Sequence, residues 1–491
     1  MVEDCKSIFQ NLFEYIKKNR AACYLIFVIY LLVNINISLA EFPYIDDIGR
    51  QLQGYTGFSE HYSRYFSEIT SRFIQGGTHL TDPGLTTNII SSIVLSITSI
   101  LLLFILFPNK KIDWFTALSS TIVGLNPWFL EPLSFRFDNP FMSLSVFVSI
   151  LPFIFLKSNK LFSLSSILCI FLMCNSYQAS SGIYILVVLT LVFLEFLNDN
   201  KLNIQRIIIS SVSYILGMIL YKVQITIKPP IFADQGRIPG LLDIPATLFN
   251  NAKGYLKNIY NQSSNIWIVL AAILIIFLII SVYLVSKEKK LTKTVLAISW
   301  LCLGCIFSYG SYLILLEKFY LLRPRYEYGL GIFSSIILIV TLGISTKFHF
   351  FEISKKFLIL LSVYYVLSFS FIYVDSLKQQ NKTFETQSVM LGSTLNKYVS
   401  AENRVVNINR FISNSPIYEN SALVYPMISS LIMPNTNISW DMTMRFNSLT
   451  KLDVDFKMFD INQIDSSYRK VETTKLYDIL SKDDQLFVIM K

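Results

Sequence analysis

The run Glu41-Phe42-Pro43-Tyr44-Ile45-Asp46-Asp47-Ile48-Gly49-Arg50 gathers three carboxylates and a guanidinium directly after an apolar stretch. A helix starting after Pro43 would set Asp46 and Asp47 four and three residues before Arg50, so either could pair with it on one face. A carboxylate held that way stays ionised and oriented, as a general base must be. The same residues would also serve as an interfacial cap that pairs its own charges.

Three further runs carry groups suited to a phosphorylated sugar. In Asn126 to Pro140, Arg136 and Asp138 stand two apart and share a face if the chain is extended. Arginine offers phosphate a planar fork of donors, and a neighbouring carboxylate accepts sugar hydroxyls, although the two could equally satisfy each other. In Glu317 to Tyr328, Arg323, Arg325 and Tyr326 surround Pro324, which interrupts a helix and frees backbone groups near a candidate anion site. Ordinary interfacial arginines in an aromatic belt would look similar. Tyr177 and Gln178 lie in an uncharged polar stretch, Asn175 to Ser181, fit for hydrogen bonding to hydroxyls or for helix packing. Glu60, Arg64, Glu68 and Arg72 recur every four residues with aromatics between them, which predicts one amphipathic helix lying in the interface. His61 and His79 make a weak metal case, so no metal ligand and no cofactor is assigned and metal dependence is left open. The chain has no Gly-rich phosphate loop, which disfavours a nucleotide-sugar donor.

The elements that must position these groups are membrane spans. The chain is 53% hydrophobic and only 15% charged, with a mean hydropathy of +0.50, too apolar for soluble domains. Its +9 charge is scattered between apolar runs and forms no basic face, so a bilayer, not nucleic acid, is the expected partner. A span needs roughly twenty apolar helical residues. Eleven candidates run over Ala21–Ala40, Thr87–Phe107, Trp114–Leu130, Phe141–Leu156, Leu161–Ser176, Gly182–Leu197, Ile207–Ile227, Trp267–Val285, Val295–Leu315, Leu330–Ser345 and Phe357–Val374. Alternate loops then hold most of the lysines, among them Lys17, Lys18, Lys110, Lys111 and the Lys287 to Lys293 run, and are expected to be cytoplasmic. The opposite loops carry all the groups singled out above.

These spans predict an all-α polytopic membrane protein with three parts: an N-terminal cytoplasmic arm (1–20), a transmembrane domain (21–374) with an outer loop (41–86), and a small outer α/β domain (375–491). In the last part the pattern predicts helices over Ser376–Tyr398, Ser421–Ile432 and Lys475–Ser481, and strands over Arg404–Asn409 and Gln485–Met490. The six cysteines, all in the arm or in apolar segments, suggest no disulfide framework.

The chain resembles the serotype-specific Gtr-type O-antigen glucosyltransferases often borne by temperate phages. The likeness lies in Asp46-Asp47-x-x-Arg50 after the first span, Arg136-x-Asp138 followed by Met142, the Tyr177-Gln178 pair, and Pro324-Arg325 before a late span. It implies a GT-C-like architecture in the bacterial inner membrane, with a cytoplasmic N-terminus and a periplasmic C-terminal domain. It also implies an undecaprenyl-phosphate-glucose donor, made and flipped by partner membrane proteins, and a lipid-linked O-antigen repeat as acceptor. On that reading Asp46, Asp47 or Glu41 is the base. Arg50, Arg136, Arg323 and Arg325 bind the donor phosphate, while Asp138, Tyr177, Gln178 and Tyr326 contact sugar or acceptor. A lipid-linked oligosaccharide flippase and an O-antigen polymerase or ligase are the competing readings; a flippase should place charges within spans or on both sides.

Overall fold

The computed structural model describes residues 2–400 and 403–491, with side chains from residue 6 onward. Two compact units emerge: Met1–Ser38 with Tyr55–Phe371, and Leu39–Gly54 with Ile372–Lys491.

The first unit is helical throughout. Helices at Arg20–Leu39, Thr86–Leu106, Gln178–Asp199, Ile204–Ile227, Asn265–Val285, Lys290–Phe307 and His349–Leu395 are each long and apolar enough to cross a bilayer. The other four expected spans fall on helices of 10–17 residues: Trp114–Leu125, Asn139–Phe155, Asn159–Cys174 and Tyr328–Gly343. Among the described residues, seven of the eleven expected spans therefore fall on helices long and apolar enough to cross. Pro127 is one reason for the shortening. It ends the expected Trp114–Leu130 helix early, and two short turns follow, Pro127–Phe129 and Leu130–Ser134.

Small and polar side chains join these helices where lipid supplies no hydrophobic drive. Tyr30 shares a 2.8 Å hydrogen bond with Ser99, and Asn34 donates to Ser92 at 2.9 Å. Gly182 and Gly329 both lie against the chain at Ser308. A Cβ on either would fall 2.5 or 2.0 Å from the Ser308 carbonyl oxygen, so only glycine permits this approach. Cys23, Cys169, Cys174, Cys302 and Cys305 are free thiols, and the Cys5 side chain lies outside the described residues.

Two expected helices, Phe357–Val374 and Ser376–Tyr398, are one helix of 47 residues, His349–Leu395, about 70 Å long. No glycine or proline occurs between Phe357 and Val389, so nothing breaks the backbone where composition turns from apolar to polar.

The second unit pairs the polar half of that helix with a five-stranded sheet. Its strands are β1 (Val405–Ile408), β2 (Asp455–Met458), β3 (Arg469–Thr473), β4 (Tyr477–Lys482) and β5 (Gln485–Met490), in the order β2-β1-β5-β4-β3. β1 runs parallel to β2 and β5, while β3, β4 and β5 are antiparallel. Phe384, Leu391 and Leu395 of the helix, Val406, Ile408, Phe456, Ile479 and Val488 of the sheet, and Phe411 and Phe446 form its core.

The strand at Gln485–Met490 falls where alternation predicts it, but the helix predicted over Lys475–Ser481 is instead β4. Asp483 and Asp484, at φ 48° and 59°, make the two-residue turn that closes β4 on β5, with Lys482 opposite Gln485. Such turns usually contain glycine or asparagine, and their absence hides the hairpin from the sequence. Pro426 splits the helix expected over Ser421–Ile432 into Pro416–Val424 and Met427–Leu431.

Candidate active site

In the second unit, the acidic segment is held in a tight, strained turn. Glu41 and Ile45 adopt φ of 52° and 45°, values costly for a side chain with a Cβ and most of all for a β-branched one. The helix Asp46–Gln53 then begins at the first aspartate, as Pro43 leads one to expect, and Gly54 at φ 69° ends it. Asp47 is fully buried and its Oδ2 accepts the Tyr44 N–H at 2.9 Å, while Asp46 is half-buried and Glu41 exposed. The Tyr44 hydroxyl donates to the Leu431 carbonyl, and Asn381 Nδ2 reaches the carbonyls of Ala40 and Glu41 at 3.4 and 3.5 Å.

Arg445 completes this clasp. Its guanidinium lies 5.3 Å from the Phe42 ring and 4.3 Å from Phe384, bonds to Asn381, and meets Glu385 at 3.3 Å. Burial pulls its pKa down to about 10, which still leaves it charged at neutral pH. Strain in the segment is thus held by fixed contacts on several sides.

In the first unit, Glu131 organises the late arginines. Asn126 caps the turn Pro127–Phe129, its Oδ1 accepting the Phe129 N–H at 3.1 Å, and this sets the following helical turn so that Glu131 is fully buried. Its Oε1 accepts Arg323 Nε at 2.7 Å and its Oε2 accepts the Arg325 backbone N–H at 2.9 Å. Pro324 shapes the intervening turn, Pro324–Tyr326. The Arg325 guanidinium lies over Phe135 at 4.9 Å and over Tyr326 at 5.3 Å. Nearby Glu327 accepts Asn258 Nδ2 at 3.0 Å, and burial pushes its pKa up to about 8.

Aromatic rings continue from Tyr326 to Tyr177, stacked at 6.5 Å, and Arg64 lies over Tyr177 at 4.7 Å and Tyr62 at 4.6 Å. Arg64 Nε donates to Gln178 Oε1 at 3.0 Å, and Gln178 Nε2 donates to Tyr221 at 2.8 Å. The structure therefore brings Arg323, Arg325, Tyr326, Tyr177 and Gln178 into one linked row.

Arg136 and Asp138 do not form the extended pair that their spacing predicts. Arg136 is held instead by Asp82 at 2.9 Å and by the Ser38 carbonyl at 3.2 Å, because residues 136–138 form a turn before the helix Asn139–Ile150. Asp138 is buried at the start of that helix.

The single helix predicted over Glu60 to Phe73 is also broken, into Phe58–Tyr62 and Tyr65–Gln75. Ser63 takes a left-handed φ of 56°, and its carbonyl and hydroxyl both accept Gln224 Nε2 at 3.0 Å. Gln224 also reaches Asn175 Oδ1, which accepts the Tyr65 N–H. Glu68 and Arg72 still pair at 2.8 Å, but Arg64 turns away from them to Gln178. Sequence reasoning placed Arg64 on the interfacial face and missed Glu131, Glu327 and Asn258 as structural partners. No spacing signal marks any of them, since every partner is more than sixty residues away.

A curated relative, described as an uncharacterised 55.3 kDa protein in the gtrB 5′ region of Salmonella phage P22, is 27% identical over 228 residues. The alignment covers 45% of this chain and 46% of the relative, so it spans about half the length of each. No solved structure matches the chain. The family model for glucosyl transferase GtrII matches residues 35–336, more than half of the chain and all of the charged loops just described, from the acidic segment to Glu327. The chain belongs to the GtrII glucosyl transferase family.

Proposed function

We propose that this protein transfers glucose from a polyprenyl-phosphate-linked donor to a lipid-linked O-antigen repeat at the periplasmic face of the inner membrane. The observation that carries this reading is the Glu131-held pair Arg323 and Arg325, joined through Tyr326 and Tyr177 to Arg64, inside a glucosyl transferase family match. Guanidinium groups beside aromatic rings suit a sugar joined to a phosphate. The phage P22 relative, named for its place beside gtrB, is in keeping with a chain that works with other gtr products. The eleven-span, GT-C-like topology with an outer C-terminal domain belongs to the same proposal.

In the reaction, a hydroxyl oxygen of the acceptor attacks C1 of the glucose and the C1–O bond to phosphate breaks. The hydroxyl proton goes to Asp46 or Asp47, with Glu41 as the remaining candidate, and polyprenyl phosphate leaves with the bonding electron pair. Attack opposite the leaving group inverts C1, so a β-linked donor yields an α-glucoside. Arg50, Arg136, Arg323 and Arg325 stabilise the phosphate as it gains charge, and Asp138, Tyr177, Gln178 and Tyr326 orient sugar or acceptor.

The test is transfer of labelled glucose from polyprenyl phosphate to a lipid-linked repeat in membranes carrying the protein. Movement of the label across the bilayer without a new glycosidic bond would favour a flippase instead. Lengthening of the repeat chain without added glucose would favour a polymerase.

A further inference from the structure

One cavity of the first unit is amphipathic in an unusual way. It encloses about 630 Å³, and Arg64 and Lys222 are the charged side chains among its lining residues, with no carboxylate among them. Elsewhere in the outer loops of this unit the arginines have acidic partners: Arg72 with Glu68, Arg136 with Asp82, Arg237 with Asp234, and Arg323 and Arg325 with Glu131. Among the described residues Arg64 has no such partner; Gln178 takes its Nε, and two tyrosine rings hold its plane. The break at Ser63 creates this arrangement by removing Arg64 from the Glu60–Glu68 face.

The remaining walls are largely apolar, with Ile215, Met218, Ile219, Ile238 and Phe307 among them. Ile215 and Ile219 are at least half exposed and belong to the helix Ile204–Ile227, whose buried residues are the small Ser210, Ser213 and Gly217. That helix therefore packs on the bundle by a narrow small-residue strip and turns its isoleucines outward, so the cavity wall continues into the surface that would face acyl chains. A ligand entering there meets hydrocarbon first and cations last.

We propose that this cavity binds the phosphate and first isoprene units of the polyprenyl phosphate donor, with Arg64 and Lys222 adding to Arg323 and Arg325, which the Tyr326–Tyr177 row joins to Arg64, on the phosphate, and the rest of the chain running past Ile215 and Ile219 into the bilayer. The inference rests on the lipid-linked donor reading above. Its volume lies within the roughly 300–1,000 Å³ usual for small-ligand sites, enough for a phosphosugar head and a short length of chain but not a whole polyprenyl tail. A free phosphate would leave the apolar wall without a role, and an uncharged lipid would leave two cations unmatched. Gln178 serves as a positioning residue that fixes the Arg64 fork.

The experiment uses full-length protein in nanodiscs and a polyprenyl monophosphate bearing a diazirine in its second isoprene unit. Labelling is expected within residues 204–248, to fall about tenfold or more in Arg64→Ala, the worth of a charge-assisted hydrogen bond, and to recover partly in Arg64→Lys. Met218→Trp, which fills the cavity without touching a charge, should reduce labelling likewise and gives the same readout should Arg64→Ala fail to accumulate. In the transfer assay both changes should raise KM for the lipid donor more than they lower kcat. Labelling elsewhere, or labelling displaced equally by phosphatidylglycerol vesicles or inorganic phosphate, overturns the assignment. Wild-type transfer with KM unchanged in the variants overturns the cavity and leaves the donor reading standing. If the wild-type protein transfers nothing from the lipid donor, the donor reading fails while the labelling map still decides the cavity.

Discussion

Glu131 Oε1 receives Arg323 Nε at 2.7 Å from a carboxyl group with no solvent exposure, across 192 residues of chain. A buried carboxylate so placed fixes where two guanidinium groups point, because its second oxygen also takes the Arg325 backbone N–H. Breaking such a pair leaves an uncompensated charge, at about 3–5 kcal/mol for a fully buried example and less here, where the arginines are 16–18% exposed. Glu131→Gln keeps an acceptor and the fold but releases the charge. We expect transfer to fall about tenfold with little change in expression, measured by initial rates in membranes.

Asp46→Asn and Asp47→Asn separate charge from structure. Asparagine at position 47 still offers an oxygen to the Tyr44 N–H, so the turn survives. The variant that removes the base should lose on the order of a hundredfold or more in kcat at unchanged expression. Full activity in both would exclude the pair as the base and leave Glu41 to be tried.

Ser63 tests whether the broken helix matters. Its left-handed φ costs a β-branched residue about 1–2 kcal/mol, so Ser63→Val should lower the unfolding temperature in detergent and reduce transfer, while Ser63→Gly should leave both near wild type. Gln224→Leu, which deletes two hydrogen bonds to the same turn and one to Asn175, should resemble the valine variant.

Glu327 gives a pH signature. Its pKa in the folded protein, raised to about 8 by burial, exceeds the ordinary carboxylate value, so the folded state binds more protons than the unfolded one between roughly pH 4.5 and 8. The stability this group contributes is present in full below that window and is lost as pH rises through about 8. Glu327→Gln, which stays neutral and can still accept Asn258, should remove the decline and be the more stable form above pH 8. Thermal unfolding of both proteins across this range measures the difference.

Much of the membrane architecture is legible without coordinates, because apolar runs near twenty residues have no option in lipid but a helix that bonds its own backbone. The acidic segment after the first span, its helix from Asp46 and the strand at Gln485–Met490 are local properties of the same kind. Asp46, Asp47, Arg323 and Arg325 could be singled out from residue type and neighbours alone.

Partners in space are another matter. The four-residue spacing of Glu60, Arg64, Glu68 and Arg72 favours one helix by only a few tenths of a kcal/mol per pair. Gln224 and Asn175 outweigh it by satisfying buried backbone groups at Ser63 and Tyr65. Asp82 likewise captures Arg136 from Asp138, and β5 draws Tyr477–Lys482 into a sheet that no local signal announces. Sequence thus determined which long apolar segments are helical and where chemically able residues stand along the chain. Tertiary structure decided which of them face one another, since interactions weak between neighbours give way to hydrogen bonds that a buried polar group must find wherever the fold supplies them.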